Sequence, residues 1–357
     1  MQSLRNLKPN DTNSGEYKAA LRAIYSNVGE DGKLKDTMSV KEIEEVLSLE
    51  NGVTWRLIRE LLEYGFSTEL ESLEPKEKAI VMFNRVHGFG KIKAAAYVEA
   101  GARTLEDLLN ATDKEFGRKV YDSQKLALKY HSDMEQMMPR AEIEKFQKII
   151  SKALKQADKA YGFEIMGSFR RGEMLSSDMD VVIWHPSYVV RDTEKTKAGI
   201  KPDGLMGKVK QALLDAGILD EGKIFSGGEK KILALTQLTP NSIHRQMDIR
   251  LCPTQSLPYM LLGNSGDDML MKIVRNKALN KGWLLNEYGM GERVEIPGSF
   301  TPKIKEGTEI LVKSEQEIFE KLNLPYLPPT ERMYAKYKDK MRSSGGLKAA
   351  PDGSFEE

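Results

Sequence analysis

Two carboxylates two residues apart, Asp178 and Asp180, follow a glycine-serine turn that carries paired arginines, Gly167-Ser168-Phe169-Arg170-Arg171-Gly172. The apolar run behind Asp178 reads as a buried strand, and a period of two puts both carboxylates on one face of it. Side by side they repel unless a proton or a cation lies between them. The turn offers backbone N–H groups and the Ser168 hydroxyl to phosphate oxygens, and Arg171 adds a forked donor. A third carboxylate stands in Gln246-Met247-Asp248-Ile249-Arg250-Leu251-Cys252. Alternation there sends Met247, Ile249 and Leu251 to one face and Asp248 with Arg250 to the other. Three carboxylates from two strands can hold two magnesium ions and leave room for substrate phosphates. A bare Asp-x-Asp is most often a pair of solvent-facing strand residues. The turn before it and the second strand Asp weigh against that reading.

The elements that must position these groups follow from pattern. Residues 16–64 carry helical stripes with no alternating strand signal, which predicts a small helical domain over 1–75. Residues 76–139 continue in helices with one interruption, Arg85-Val86-His87-Gly88-Phe89-Gly90-Lys91-Ile92-Lys93. Gly88 and Gly90 allow a tight turn whose following helix starts with exposed N–H groups, able to grip a backbone phosphate. Lys91 and Lys93 add charge but read no bases, and His87 suits a structural role better than a metal. From Pro139 the pattern changes. A long amphipathic helix over 142–161 leads into the turn. Further strands at 231–238 and 247–251, with a helix at 206–216, predict a mixed-sheet catalytic domain over 140–253. Helices resume over 259–281. Short strands and a helix at 314–322 complete a unit over 254–334, and 335–357 reads as a flexible tail. The fold class is α+β.

At 357 residues the chain has room for two or three domains, and its 40% hydrophobic, 30% charged composition argues against disorder. A net charge of +1 means that any nucleic-acid surface must come from segregated charge, such as the cluster Lys272, Arg275, Lys277, Lys281. One cysteine, Cys252, excludes an internal disulfide framework. Neither a signal-like apolar start nor a bilayer-length run is present, so an intracellular, membrane-free protein is expected.

The segment 167–186 resembles the active site of the X-family DNA polymerases. The resemblance continues through His244-Arg245-Gln246-Met247-Asp248-Ile249-Arg250, through 275–283, through Leu285-Asn286-Glu287-Tyr288 and to Leu324-Pro325-Tyr326-Leu327-Pro328-Pro329. It implies a lyase-like helical domain, a helix-hairpin-helix subdomain, a nucleotidyltransferase palm and a C-terminal α/β nucleotide-selection subdomain. The implied reaction is template-directed transfer of a deoxynucleotide to a primer 3′-hydroxyl by two Mg²⁺ ions, with Mn²⁺ as a substitute. Gapped or nicked DNA and a dNTP would be the substrates, and a monomer engaged in short-gap, base-excision type repair the setting. Asp178 and Asp180 would bridge both ions, and Asp248 would ligate one and take the hydroxyl proton. Gly167, Ser168, Arg171 and Ser177 would hold the triphosphate, with Gly263, Asn264 and Asp268 beside the sugar and base. Lys272 and Arg275 would meet the template. Arg250, Asn286 and Glu287 would support the closing helix.

Several positions depart from the family pattern. Ser177 replaces a usual glycine, and Met137 stands where relatives have an arginine. Gly263-Asn264 replaces a Tyr-Phe pair that crowds the sugar 2′ position, which predicts relaxed sugar discrimination, with Asn264 bonding to the Asp180–Arg250 pair. Glu60 falls where lyase-competent relatives carry a Schiff-base lysine, and no lysine lies between Lys41 and Lys76, which predicts weak or absent 5′-deoxyribose-phosphate lyase activity. Two other readings share the core motif: a template-independent terminal or RNA-tailing transferase, and a non-catalytic DNA-end-binding protein.

Overall fold

The computed structural model describes residues 72–112, 114–189, 204–298 and 301–333, with 336, 337, 340 and 341. The helical domain expected over 1–75, with Glu60, lies almost wholly outside the described residues.

The first described unit is helical. Pro75 opens α1 (Pro75–Asn84) behind a reciprocal Glu74–Glu77 capping box. The Gly88–Gly90 turn leads to α2 (Lys91–Glu99), followed by α3 (Leu105–Asn110), α4 (Asp122–Lys129) and the single turn α5 (His131–Met134). Their core gathers Phe83, Phe89, Tyr97, Leu108 and Ala127, and Phe225 packs on it from a strand far along the chain.

A short ladder of β1 (Met138–Pro139) with β3 (Leu175–Ser176) opens the second unit. Helix α6 (Arg140–Ala157) buries Ile143, Phe146, Ile150, Ala153 and Leu154, spaced to line one face of a 3.6-residue repeat. After β2 (Gly162–Ile165) and the single turn α7 (Gly167–Arg170) come β4 (Met179–Trp184), α8 (Leu205–Asp215), β5 (Ile224–Gly227), β6 (Lys231–Thr236) and β7 (Arg245–Cys252). The sheet runs β2-β4-β7-β6-β5. Its β4–β7 pairing is parallel and the rest antiparallel. Met179, Val181 and Ile183 of β4 join Met247, Ile249 and Leu251 of β7 in one core with α6 and α8. The opposite face therefore carries Asp180, Asp248 and Arg250.

The third unit holds α9 (Leu257–Gly263), α10 (Asp268–Asn280), β8 (Trp283–Asn286), β9 (Gly289–Val294), β10 (Lys303–Ile304) and α11 (Glu315–Lys321). The helical pattern over 259–281 is broken in two at Asn264-Ser265-Gly266, and Asp267 restarts it by accepting from Leu270 N at 2.7 Å. Tyr337 and Met341, read from composition as tail, are instead fully buried here, and the Tyr337 hydroxyl donates to Asp267 at 2.8 Å. Two apolar residues four apart anchor one helical face, a signal hidden by the surrounding lysines. The class is α+β, and no helix among the described residues is long and apolar enough to cross a membrane.

Candidate active site

Parallel pairing of β4 with β7 places Asp180 directly opposite Asp248, on strands about 4.8 Å apart. Asp178 lies in the bend just ahead of β4, one residue outside the expected strand, and its Oδ1 accepts from Ser177 Oγ at 3.1 Å. The three carboxylates repel one another through a partly dehydrated floor. Burial, then the charges of Asp178 and Asp248, push the Asp180 carboxyl up to about 7, although Arg250 and Lys231 oppose the shift. Asp178 is open to solvent at its edge, yet surrounding protein raises its pKa too, with Asp248 adding to the effect and the Ser177 hydroxyl opposing it.

Asp248 is the most buried of the trio, at 9% exposure. Its Oδ2 takes Lys231 Nζ at 2.7 Å and Arg250 Nη2 at 3.4 Å. Its Oδ1 is buried without a hydrogen-bond partner, as is Arg250 Nε. Lys231 escaped the sequence reading because nothing local reveals that β6 pairs with β7. As they stand, no three His, Cys, Asp or Glu side chains among the described residues converge closely enough to hold a metal ion. The donor set still fits hard divalent cations: oxygen ligands only, an orphaned buried carboxylate oxygen, and like charges that a cation would relieve.

The turn above the trio is more committed than expected. Gly167 has φ +61°, and a side chain there would approach Asp180 Oδ2 at 3.5 Å. Its N–H, expected to face phosphate, donates to Asn264 O at 2.8 Å. Ser168 Oγ meets Ser176 Oγ at 2.7 Å. Arg171 is held by Glu173 at 2.7 Å and donates to Ser265 O at 3.2 Å. Arg170, assigned no role from sequence, reaches Glu164, Ser265 and Glu315. Glu315 also accepts from the buried Arg332.

Asn264 does not bond to Asp180 or Arg250. Its amide turns back to Met260 O at 2.8 Å, the carbonyl one helical turn earlier that also accepts the Asn264 backbone N–H at the C-cap of α9. Gly263 backs onto Glu287, whose Cβ a side chain at 263 would meet at 3.5 Å. Asn286 Oδ1 closes the β8–β9 turn by accepting from Tyr288 N and Gly289 N. Asp268, Lys272 and Arg275 share the exposed face of α10, opposite buried Leu270, Ile273 and Val274.

At the hairpin, Gly88 has φ +85°, its carbonyl accepts from Gln124, and Gly90 caps α2 with Lys91 and Lys93 exposed beyond it. The His87 ring packs on Phe225 at 5.0 Å. Burial lowers its pKa, Lys231 adds to the effect and Asp248 opposes it, so the hairpin lies within electrostatic range of the carboxylate floor. Met137 contributes its carbonyl to Arg245, which also pairs with Glu142. A cleft of about 560 Å³ between α4 and β5 touches none of the three carboxylates, and Lys125 in its wall is spent on Ala111 O.

The sequence is similar to known DNA polymerases. Residues 81–135 match the fingers domain of DNA polymerase lambda, 137–254 the DNA polymerase beta palm, and 260–333 the DNA polymerase beta thumb. DNA polymerase lambda of Arabidopsis thaliana is 27% identical over 289 residues, covering 77% of this chain and 50% of its own length. The DNA-directed DNA/RNA polymerase mu of Homo sapiens is 26% identical over 309 residues, covering 78% and 57%. DNA polymerase lambda of Rattus norvegicus is 25% identical over 279 residues, covering 77% and 46%. The chain spans about half the length of these curated relatives. Paired strands carrying opposed aspartates fall inside the palm match, flanked by two further domain matches in an almost unbroken run, and the chain belongs to the X family of DNA polymerases.

Proposed function

We propose that this chain is a template-directed DNA polymerase that fills short gaps during DNA repair, adding deoxynucleotides to a primer 3′-hydroxyl. The observation that carries the reading is the parallel β4–β7 register, which sets Asp180 against Asp248 with Asp178 two residues upstream. Asp178, Asp180 and Asp248 would hold two Mg²⁺ ions, or Mn²⁺ in their place. When bound, such ions lower the pKa of the primer hydroxyl and neutralise triphosphate charge. Asp248 receives the hydroxyl proton. Ser168 and Arg171 orient the triphosphate, and the commitment of Arg171 to Glu173 keeps its guanidinium fixed in advance of substrate. Asp268, Lys272 and Arg275 face the nascent base pair and template, and the Gly88–Gly90 hairpin with Lys91 and Lys93 grips backbone phosphate without reading sequence. The protein acts as a monomer on gapped or nicked DNA inside the cell.

Sugar selection is relaxed in this reading. Gly263 offers no side chain to a 2′-hydroxyl, and Asn264 is occupied with Met260. The similarity to a polymerase named for both DNA and RNA synthesis agrees with it. Lyase chemistry is weak or absent, since Glu60 offers no amine.

Extension of a primer across a one-nucleotide gap, with dNTP and rNTP in parallel and Asp178→Ala as control, tests the proposal. Template-dependent extension by the parent chain and none by the variant is the expected result. Extension without a template would favour a terminal transferase, and DNA binding with no extension an end-binding protein.

A further inference from the structure

We propose that Lys231 is a latch on Asp248: its ammonium holds the carboxylate while no divalent cation is bound and must let go before one can use it. The proposal rests on the metal-binding reading of the carboxylate trio. Lys231 opens β6, where it pairs with Arg250 while Leu233 pairs with Asp248. It therefore stands diagonal to the carboxylate across an antiparallel ladder, within reach of a long side chain. Its Nζ lies 2.7 Å from Asp248 Oδ2.

Three features make this pair a latch rather than a permanent brace. First, the partner oxygen Oδ1 is buried with no hydrogen bond, so the cations at Oδ2 carry the compensation for a desolvated charge. Second, an ammonium at the lone pairs of a carboxylate oxygen stands where a hard divalent ion would ligate, and two cations there repel. Third, the lysine is the mobile member: its side chain is 45% exposed against 12% for Asp248, on a flexible four-carbon stem. Arg250 shares the same oxygen at the looser distance of 3.4 Å and stays on the strand beside it. Backbone phosphates of an arriving nucleic acid offer the ammonium a second anion. Arrival of DNA thus frees Asp248, and the trio completes itself when substrate is present. Lys231 is a positioning residue, acting through Asp248.

Titration of Mn²⁺ into the full chain, followed by the electron paramagnetic resonance signal of free Mn²⁺ with and without a gapped duplex, tests the latch. Lys231→Gln should bind Mn²⁺ about two- to fivefold more tightly than the parent in the absence of DNA, the gain that corresponds to losing a half-exposed ion pair. DNA should then tighten Mn²⁺ binding less in this variant than in the parent. Lys231→Arg keeps the charge and should stay within about twofold of the parent. Lys231→Ala, expected to tighten Mn²⁺ binding in the same titration as the glutamine variant does, keeps the test decisive if that variant does not fold. Unchanged or weaker binding by Lys231→Gln, or tightening by Lys231→Arg, overturns the proposal. Asp248→Asn separates the two layers of the argument. Should it leave Mn²⁺ binding intact, the carboxylate reading itself has failed. Should it weaken binding while Lys231→Gln changes nothing, only the latch has failed.

Discussion

Two groups of ionisable side chains flank the Gly167 turn and meet opposite fates. On one side Arg170 and Arg332 close on Glu315 from both oxygens, with Glu164 and Ser265 completing the set. Burial alone would raise the Glu315 pKa, yet hydrogen bonds and charge from Arg170 and Arg332 more than offset it and hold it below the usual carboxylate range. On the other side Asp178, Asp180 and Asp248 face one another with too few cations, and Asp180 is pushed up to about 7. Where charges are balanced inside the protein the cluster ties one unit to another. Where balance is left incomplete, the proposed function assigns the missing positive charge to divalent cations.

That contrast can be broken from either side. The largest effect should come from the unbalanced one. Asp180→Asn is expected to cut gap-filling synthesis by about a thousandfold, the scale of losing a group aimed at transition-state charge. Its melting temperature in chelator should stay level or rise, since a repelling charge is gone. A large fall in melting temperature would make Asp180 a structural residue and dissolve the contrast.

Glu315→Ala should do the reverse. It leaves the buried Arg332 guanidinium without a carboxylate and Arg170 with Glu164 alone, and is expected to cost about 3 kcal/mol of stability by denaturant unfolding. Catalysis would suffer only through the lost fold, so partial rescue of activity at low temperature is expected.

The same cluster predicts a pH dependence. Because the Glu315 pKa is lowered in the folded state, its contribution is fully present above the unfolded value near 4.5 and is lost as pH falls through the folded value. Unfolding free energy measured from pH 6 down to pH 3 should therefore fall more steeply for the parent than for Glu315→Gln. Equal slopes would mean that Glu315 is not held charged by its arginines.

Smaller effects sharpen the edges. Asp267→Ala removes the cap of α10 and the partner of Tyr337, and should cost about 1–2 kcal/mol. Gly88→Ala forces an alanine into φ +85° with its Cβ 3.2 Å from Gln124 Cγ. It should cost about 1–2 kcal/mol and weaken binding to gapped DNA, read by fluorescence anisotropy, without changing the preference for any base.

Much of this architecture is written locally. The apolar alternation of Met247, Ile249 and Leu251 assigns Asp248 and Arg250 to the opposite face before any coordinates. Cap and proline signals mark α1, and the spacing of Ile143, Phe146 and Ile150 marks α6. What stays hidden depends on which strand lies beside which. No local pattern makes β4 and β7 parallel neighbours across a long crossover, nor sets Lys231 diagonal to Asp248. The Arg170–Glu315 contact spans 145 residues of sequence, and a charged pair carries no periodicity to announce itself. Asn264 misled for a related reason: the nearest helix carbonyl, invisible in the sequence, outcompeted the more distant pair.

The central claim is that the three carboxylates gather divalent cations beside an incoming nucleotide. Anomalous diffraction from crystals grown with gapped DNA, a non-hydrolysable dNTP and Mn²⁺ tests it most directly. Manganese peaks should lie within ligating distance of Asp178, Asp180 and Asp248, with Lys231 turned away from Asp248. Peaks elsewhere, or none in crystals that hold the nucleotide, would contradict the account.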